Sequence, residues 1–109
     1  MDLLGVDYPY STSALSGKHA LVCGASKGIG AATAKMLAKA GADVTVCARN
    51  EHALQQLCVE MEALGNGKHH SLVLDLEDTQ SLNLAVSELI EQRGTIHILV
   101  NNAGGPPGG

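Results

Sequence analysis

The seven residues Gly24-Ala25-Ser26-Lys27-Gly28-Ile29-Gly30 are where this sequence could do chemistry. They follow a short apolar run and open a stretch of helical period, and each glycine has a steric task there. Gly24 permits a tight turn off a strand, Gly28 lets main-chain amides approach a bound pyrophosphate, and Gly30 lets the helix pack closely on the sheet. The anion would rest on the unpaired N–H groups and the positive dipole end of that helix. A ligand-free turn would use the same glycines, but the strand-to-helix setting is the one a phosphate loop requires. No Gly-Lys-Ser/Thr follows, which excludes a Walker-type loop.

The elements that must hold this loop can be read on either side of it. Apolar runs at Ala20–Cys23, Val44–Cys47, Leu72–Leu74 and Ile96–Val100 are strand-like. Between them lie three helical repeats, marked by Ile29, Met36, Leu37 and Ala40, then by Leu54, Leu57, Cys58, Met61 and Leu64, then by Leu82, Val86, Leu89 and Ile90. Gly41, Gly65 and Gly94 stand where a helix needs a left-handed residue past its end, with Lys39 and Arg93 in the last turns. Asn50 and Asp78 are the expected N-caps. The order is β-α-β-α-β-α-β. Strands that are apolar on both faces, joined by helices, imply a parallel sheet with helices on both sides.

Composition narrows the function classes. The chain has 109 residues, enough for one domain, with seven basic and eleven acidic residues and a net charge of −4. That balance argues against a nucleic-acid partner, as does an aromatic content of 2%, which offers no stacking platform. No apolar run nears the ~18 residues of a membrane span, and the start lacks a signal-peptide pattern. A cytoplasmic protein with no membrane partner is expected. Cys23, Cys47 and Cys58 form no C-x-x-C pair and are not expected as metal ligands; Cys23 and Cys47, on neighbouring strands, are expected as small buried hydrophobes. His69, His70 and His19 are expected at the surface, since neighbours on a strand face opposite ways and cannot share one ion; no metal is expected. His97 is expected to be partly buried.

Several features together resemble the short-chain dehydrogenase/reductase family. They are G-x-x-x-G-x-G at Gly24–Gly30, Leu15-Ser16-Gly17-Lys18 leading into Ala20-Leu21-Val22, Asp75 after the third strand, and Asn101-Asn102-Ala103-Gly104 after the fourth. The resemblance implies a Rossmann-like, doubly wound, three-layer α/β fold, here partial, with strand order 3-2-1-4. Residues 1–16 would be an N-terminal tail, and 17–109 the N-terminal, cofactor-binding half of the domain, truncated before its catalytic half. The run Asn-Asn-Ala-Gly-Gly-Pro-Pro also resembles the branch of 3-oxoacyl-acyl-carrier-protein reductases.

The cofactor-binding residues implied are Gly24, Ser26, Lys27, Gly28, Ile29, Gly30, Arg49, Asp75, Leu76, Asn101, Ala103 and Gly104. Asp75 and Leu76 would flank the adenine, while Asn101, Ala103 and Gly104 would line the nicotinamide-side ribose. Asp75 would otherwise be only a helix-start residue, and Asn101 a clamp between strands. An acidic residue at the end of the second strand would select NAD. Ala48 and Arg49 stand there instead, with Lys27 nearby, so NADP is expected over NAD. Arg49 and Lys27 would otherwise be solvated surface cations.

In the resembled family a serine and a Tyr-x-x-x-Lys pair act beyond this stretch. Here Tyr8 and Tyr10 have Thr12 and Ala14 four residues on, so no catalytic residue is assigned and no turnover is expected. The parent protein would be an NADP-dependent oxidoreductase, a homo-oligomer acting on a small-molecule or acyl-carrier carbonyl substrate. The fourth strand would be an apolar edge, leaving the free chain marginal or prone to aggregate. A non-catalytic nucleotide-binding module, complete at this length, is the alternative. A methyltransferase on a similar sheet is a third, for which Lys27 and Arg49 give no reason.

Overall fold

The computed structural model describes residues 14–25, 28–65 and 67–101. Seven elements alternate along them: β1 (His19–Cys23), α1 (Gly28–Lys39), β2 (Asp43–Ala48), α2 (Glu51–Glu62), β3 (His70–Val73), α3 (Thr79–Arg93) and β4 (Ile98–Asn101). The four strands are parallel in the order β3-β2-β1-β4, as expected. Cys23 lies opposite both Cys47 and Asn101, and Ala48 opposite Val73, so the carboxyl ends of all four strands finish on one edge.

Alternation along the strands produces the layers. Ala20 and Val22 of β1, with Val44 and Val46 of β2, join one buried cluster with Ala34 and Ala38 of α1 and Leu54, Leu57 and Met61 of α2. Leu21, Cys23 and Cys47 join another with Leu89 of α3. A strand buried on both faces needs a helix layer on each, and right-handed crossovers supply them.

Local signals explain the helix ends. The Asn50 side chain accepts from Ala53 N–H at 3.0 Å, and Asp78 accepts from Ser81 N–H at 3.2 Å, as the capping pattern predicts. Gly41 and Gly94 leave α1 and α3 at φ 101 and 87. Gly65 does something else. Helix α2 ends through Ala63 in a right-handed conformation, and a Cβ on Gly65 would strike the Ala38 carbonyl oxygen. Its glycine serves a close backbone approach rather than a helix exit.

Three further expectations change. Ile29 and Met36 are 75% and 72% exposed, and α1 turns Gly30, Ala34 and Ala38 inward. Small residues let a helix lie close on a sheet, whereas periodicity alone weights large side chains. The histidines are the second. His19 and His69 are only 5% and 8% exposed and His70 is half-buried, because each bonds or packs at the start of a strand. The third is His97, which is exposed, its Nδ1 accepting from His19 N–H at 3.0 Å. Leu74 and Ile96 fall just outside the strands yet stay in the α3-side core. Leu15, in the expected tail, packs against the α1/α2-side core; residues 1–13 lie outside the described residues.

Candidate functional site

The site is built at the carboxyl edge of the sheet, where β1 gives way to α1. The chain turns at Gly24 with φ 78, a conformation that disfavours a Cβ. The N–H groups of Gly24 and Ala25 both donate to the Cys47 carbonyl, at 2.8 and 3.3 Å, so the turn is fastened to β2. Helix α1 then opens at Gly28, whose φ is 65 and beside which a Cβ would meet nothing within 4 Å. At Gly30 there is no such room: a Cβ would strike the Gly24 carbonyl oxygen and come within 3.1 Å of Ala25 Cα. Absence of a side chain at Gly30 is what presses the start of α1 onto the turn.

The consequence is electrostatic. The first-turn amides of α1 have no partners inside the helix and face out over the strand edge, at the positive end of the helix dipole. No acidic residue occupies that first turn. Open space beside Gly28, unpaired amides and a fixed turn fit a phosphate group of a dinucleotide. Ser26 and Lys27, the remaining loop positions, lie outside the described residues, as do Ala103 and Gly104.

The other predicted positions lie along the same edge. Ile29 is exposed beside the turn. Arg49 directly follows β2, is exposed, and makes no ion pair among the described residues. Asp75 lies two residues past β3; its Oδ1 accepts from Glu77 N–H at 2.9 Å, so one oxygen closes a local turn. Leu76 packs partly against the α3-side core. Asn101 ends β4 opposite Cys23. The fold therefore gathers Gly24, Gly28, Ile29, Gly30, Arg49, Asp75, Leu76 and Asn101 at one rim. Strand order reverses between β1 and β4, and ligands of open α/β sheets occupy the crevice at such a switch point.

Two features went unread in the sequence. A groove of about 400 Å³ runs between α3 and the β1–β4 pair, lined by Leu21, Cys23, Leu82, Val86, Leu99 and Asn101 among others. The alternating strand residues Leu21, Cys23 and Leu99 carried its signal. The second is a thiol pair: Cys23 and Cys47 stand opposite each other on β1 and β2, and the interaction of the two thiols together with burial pushes the Cys47 thiol far up. Burial, aided by Glu62, raises Cys58 as well. The contact with Cys47 lowers the Cys23 thiol, against burial, whereas Cys47 and Cys58 stay protonated and act as small apolar groups. Among the described residues no set of three His, Cys, Asp or Glu side chains is arranged to hold a metal ion.

A parallel sheet in this order, with a glycine turn feeding the helix after its first strand, defines the Rossmann class of nucleotide-binding folds. Comparison with known proteins narrows the class: the short chain dehydrogenase profile matches residues 18–109, and the chain belongs to that family. A short chain dehydrogenase of Pseudocercospora fijiensis is 42% identical over 90 residues, covering 83% of this chain and 29% of that protein. The crystal structure of a metagenomic short-chain oxidoreductase in complex with NADP superposes with a TM-score of 0.79 at 38% identity, over 84% of this chain and 41% of the other. Carveol dehydrogenase from Mycobacterium avium, in complex with NAD, gives 0.77 at 28% identity, over 85% and 38%. The chain thus spans under a third of the curated relative and about two-fifths of the solved structures. Among the described residues no helix is long and apolar enough to cross a membrane.

Proposed function

We propose that this chain supplies the dinucleotide site of an NADP-dependent oxidoreductase that interconverts a carbonyl and a secondary alcohol. The observation that carries the proposal is the turn from Gly24 to Gly30, held to β2 and admitting no side chain at Gly30. The bound nicotinamide would supply or accept the hydride. The protein's part is to seat the phosphates on the first-turn amides of α1, with Asp75, Leu76 and Asn101 along the adenine and ribose path. Ser26, Lys27, Ala103 and Gly104 belong to the same proposed set.

Arg49 supports NADP over NAD. It follows β2 where an acid would bind the bare ribose hydroxyl, and its exposed guanidinium, in no ion pair among the described residues, could fork onto a phosphate. The 109 residues hold no Tyr-x-x-x-Lys pair, so this stretch binds cofactor without turning it over. A small-molecule or acyl-carrier carbonyl substrate, a homo-oligomeric parent and a cytoplasmic setting complete the proposal. The acyl-carrier choice rests on the run after Asn101, and the setting on three unpaired cysteines.

Titrating NADP and NAD against the protein by calorimetry tests this reading. NADP is expected to bind more tightly, and Arg49→Ala to weaken NADP about tenfold while sparing NAD, the loss of one charge-assisted contact. Binding of neither dinucleotide overturns the site; tighter NAD binding overturns the cofactor choice.

A further inference from the structure

The opposite edge of the sheet, where the strands begin, gathers ionisable groups that the dinucleotide site does not use. His19 opens β1, Asp43 opens β2, His70 opens β3 and Arg93 closes α3. With Lys68 these residues line a cavity of about 90 Å³. His19 is almost wholly buried, its Nε2 3.0 Å from Thr45 Oγ1, and its Nδ1 is buried with no hydrogen-bond partner. The Thr95 main chain lies near enough to serve that ring weakly. The Nε2 of His70 is likewise buried and unpartnered. Buried polar groups are seldom left unsatisfied, and the His70 Nε2, with a His19 Nδ1 that is at best weakly served, leaves this cavity wall short of partners.

The charges say what kind. Among the described residues Arg93 and Lys68 form no ion pair, although Asp43 shares the wall. One Asp43 oxygen already accepts from the Lys68 main-chain N–H at 2.8 Å. Two cations therefore line the wall with one partly satisfied carboxylate. A metal cation would meet repulsion and too few ligands. Waters would fit by volume, but the wall is rich in donors: a guanidinium fork, an ammonium and two imidazoles able to turn an N–H inward. The last carbonyls of α3 oppose negative charge at this end, and Arg93 stands in that last turn to offset them.

We propose that this cavity is a binding site for a small oxyanion of the phosphate or sulfate type, held by Arg93, Lys68 and the imidazoles of His19 and His70. The site braces the starts of β1, β2 and β3, at the end of the sheet away from the cofactor turn. Being made only in the folded chain, it couples anion binding to stability.

The test is a titration of the full chain with inorganic phosphate at constant ionic strength, in the presence of saturating NADP. The imidazole resonances of His19 and His70 are followed by NMR. Saturable shifts of both rings are expected, with affinity about tenfold weaker in Arg93→Gln and in Lys68→Gln. Lys68 is exposed on a loop, so its variant keeps the experiment decisive should Arg93→Gln fail to fold. Absence of saturable shifts, equal shifts with chloride, or full retention of affinity in Lys68→Gln each overturns the proposal. Phosphate landing on the cofactor turn would shift the Gly24 and Gly28 amides instead, so a failure of the dinucleotide reading is seen separately.

Discussion

The two faces of the sheet are built to different standards. Beneath α1 and α2 the core is dry and tight: Val44, Val46, Leu54 and Met61 are wholly buried, and Ala34 and Ala38 bring α1 close to the strands. Beneath α3 the core is looser and turns polar toward the strand starts, from Leu21, Cys23, Cys47 and Leu89 to His19, Thr45 and His70. Only Leu89 of α3 is fully buried, and an open groove lies beside it. On β4, Leu99 is 65% exposed. The first face carries the stability of the described chain, and the second leaves surface and chemistry unspent.

Truncations on the two faces give the largest expected contrast. Leu54→Ala should cost about 3–5 kcal/mol in urea unfolding, because α2 and the sheet cannot close around the void. Leu89→Ala, next to a groove that already admits water, should cost about 2 kcal/mol. Equal losses would mean that the faces are packed alike. Acid should probe the α3 side next. Burial holds His19, His69 and His70 below the ordinary histidine value, with the Arg93 charge adding to the effect on His19 and His70. The unfolded chain therefore takes up protons first, so stability is complete above about pH 6.5 and falls as pH drops through the lowered values. Chemical denaturation at pH 7.5 and pH 5 should show this loss, and a His19→Gln variant should reduce it; an unchanged midpoint would remove the histidines from the account. The smallest expected effect is a control. Asn50→Ala uncaps α2 and Asp78→Ala uncaps α3, and the two should lower the urea midpoint by similar, small amounts. Matching losses would locate the asymmetry in side-chain packing and not in the helices themselves.

Much of this was legible because the rules involved are local. Caps at Asn50 and Asp78, glycine exits at Gly41 and Gly94, and strands apolar on both faces each follow from a few neighbouring residues, and together they allow few topologies. The glycine turn was legible for the same reason, since Gly24 and Gly28 take positive φ and Gly30 admits no Cβ, all within seven residues. What escaped depends on partners distant in sequence. Ile29 and Met36 look like core residues until the sheet is seen to want alanine and glycine there. Gly65 is explained only by Ala38, which it meets from another helix. The buried histidines needed Thr45 and Val44 for partners: His69 Nδ1 accepts from Val44 N–H at 3.1 Å, and nothing near His69 in the chain announces that bond.

The double tether of Gly24 and Ala25 to the Cys47 carbonyl has a thermodynamic consequence. A wandering glycine loop would have to surrender its freedom on every encounter with a ligand, subtracting that entropy from the affinity. Here the ordering of Gly24 and Ala25 is completed during folding, by a neighbouring strand, before any ligand arrives. Tightness at the rim is thus inherited from the sheet, and whatever loosens β2 should be felt by a molecule that never touches it.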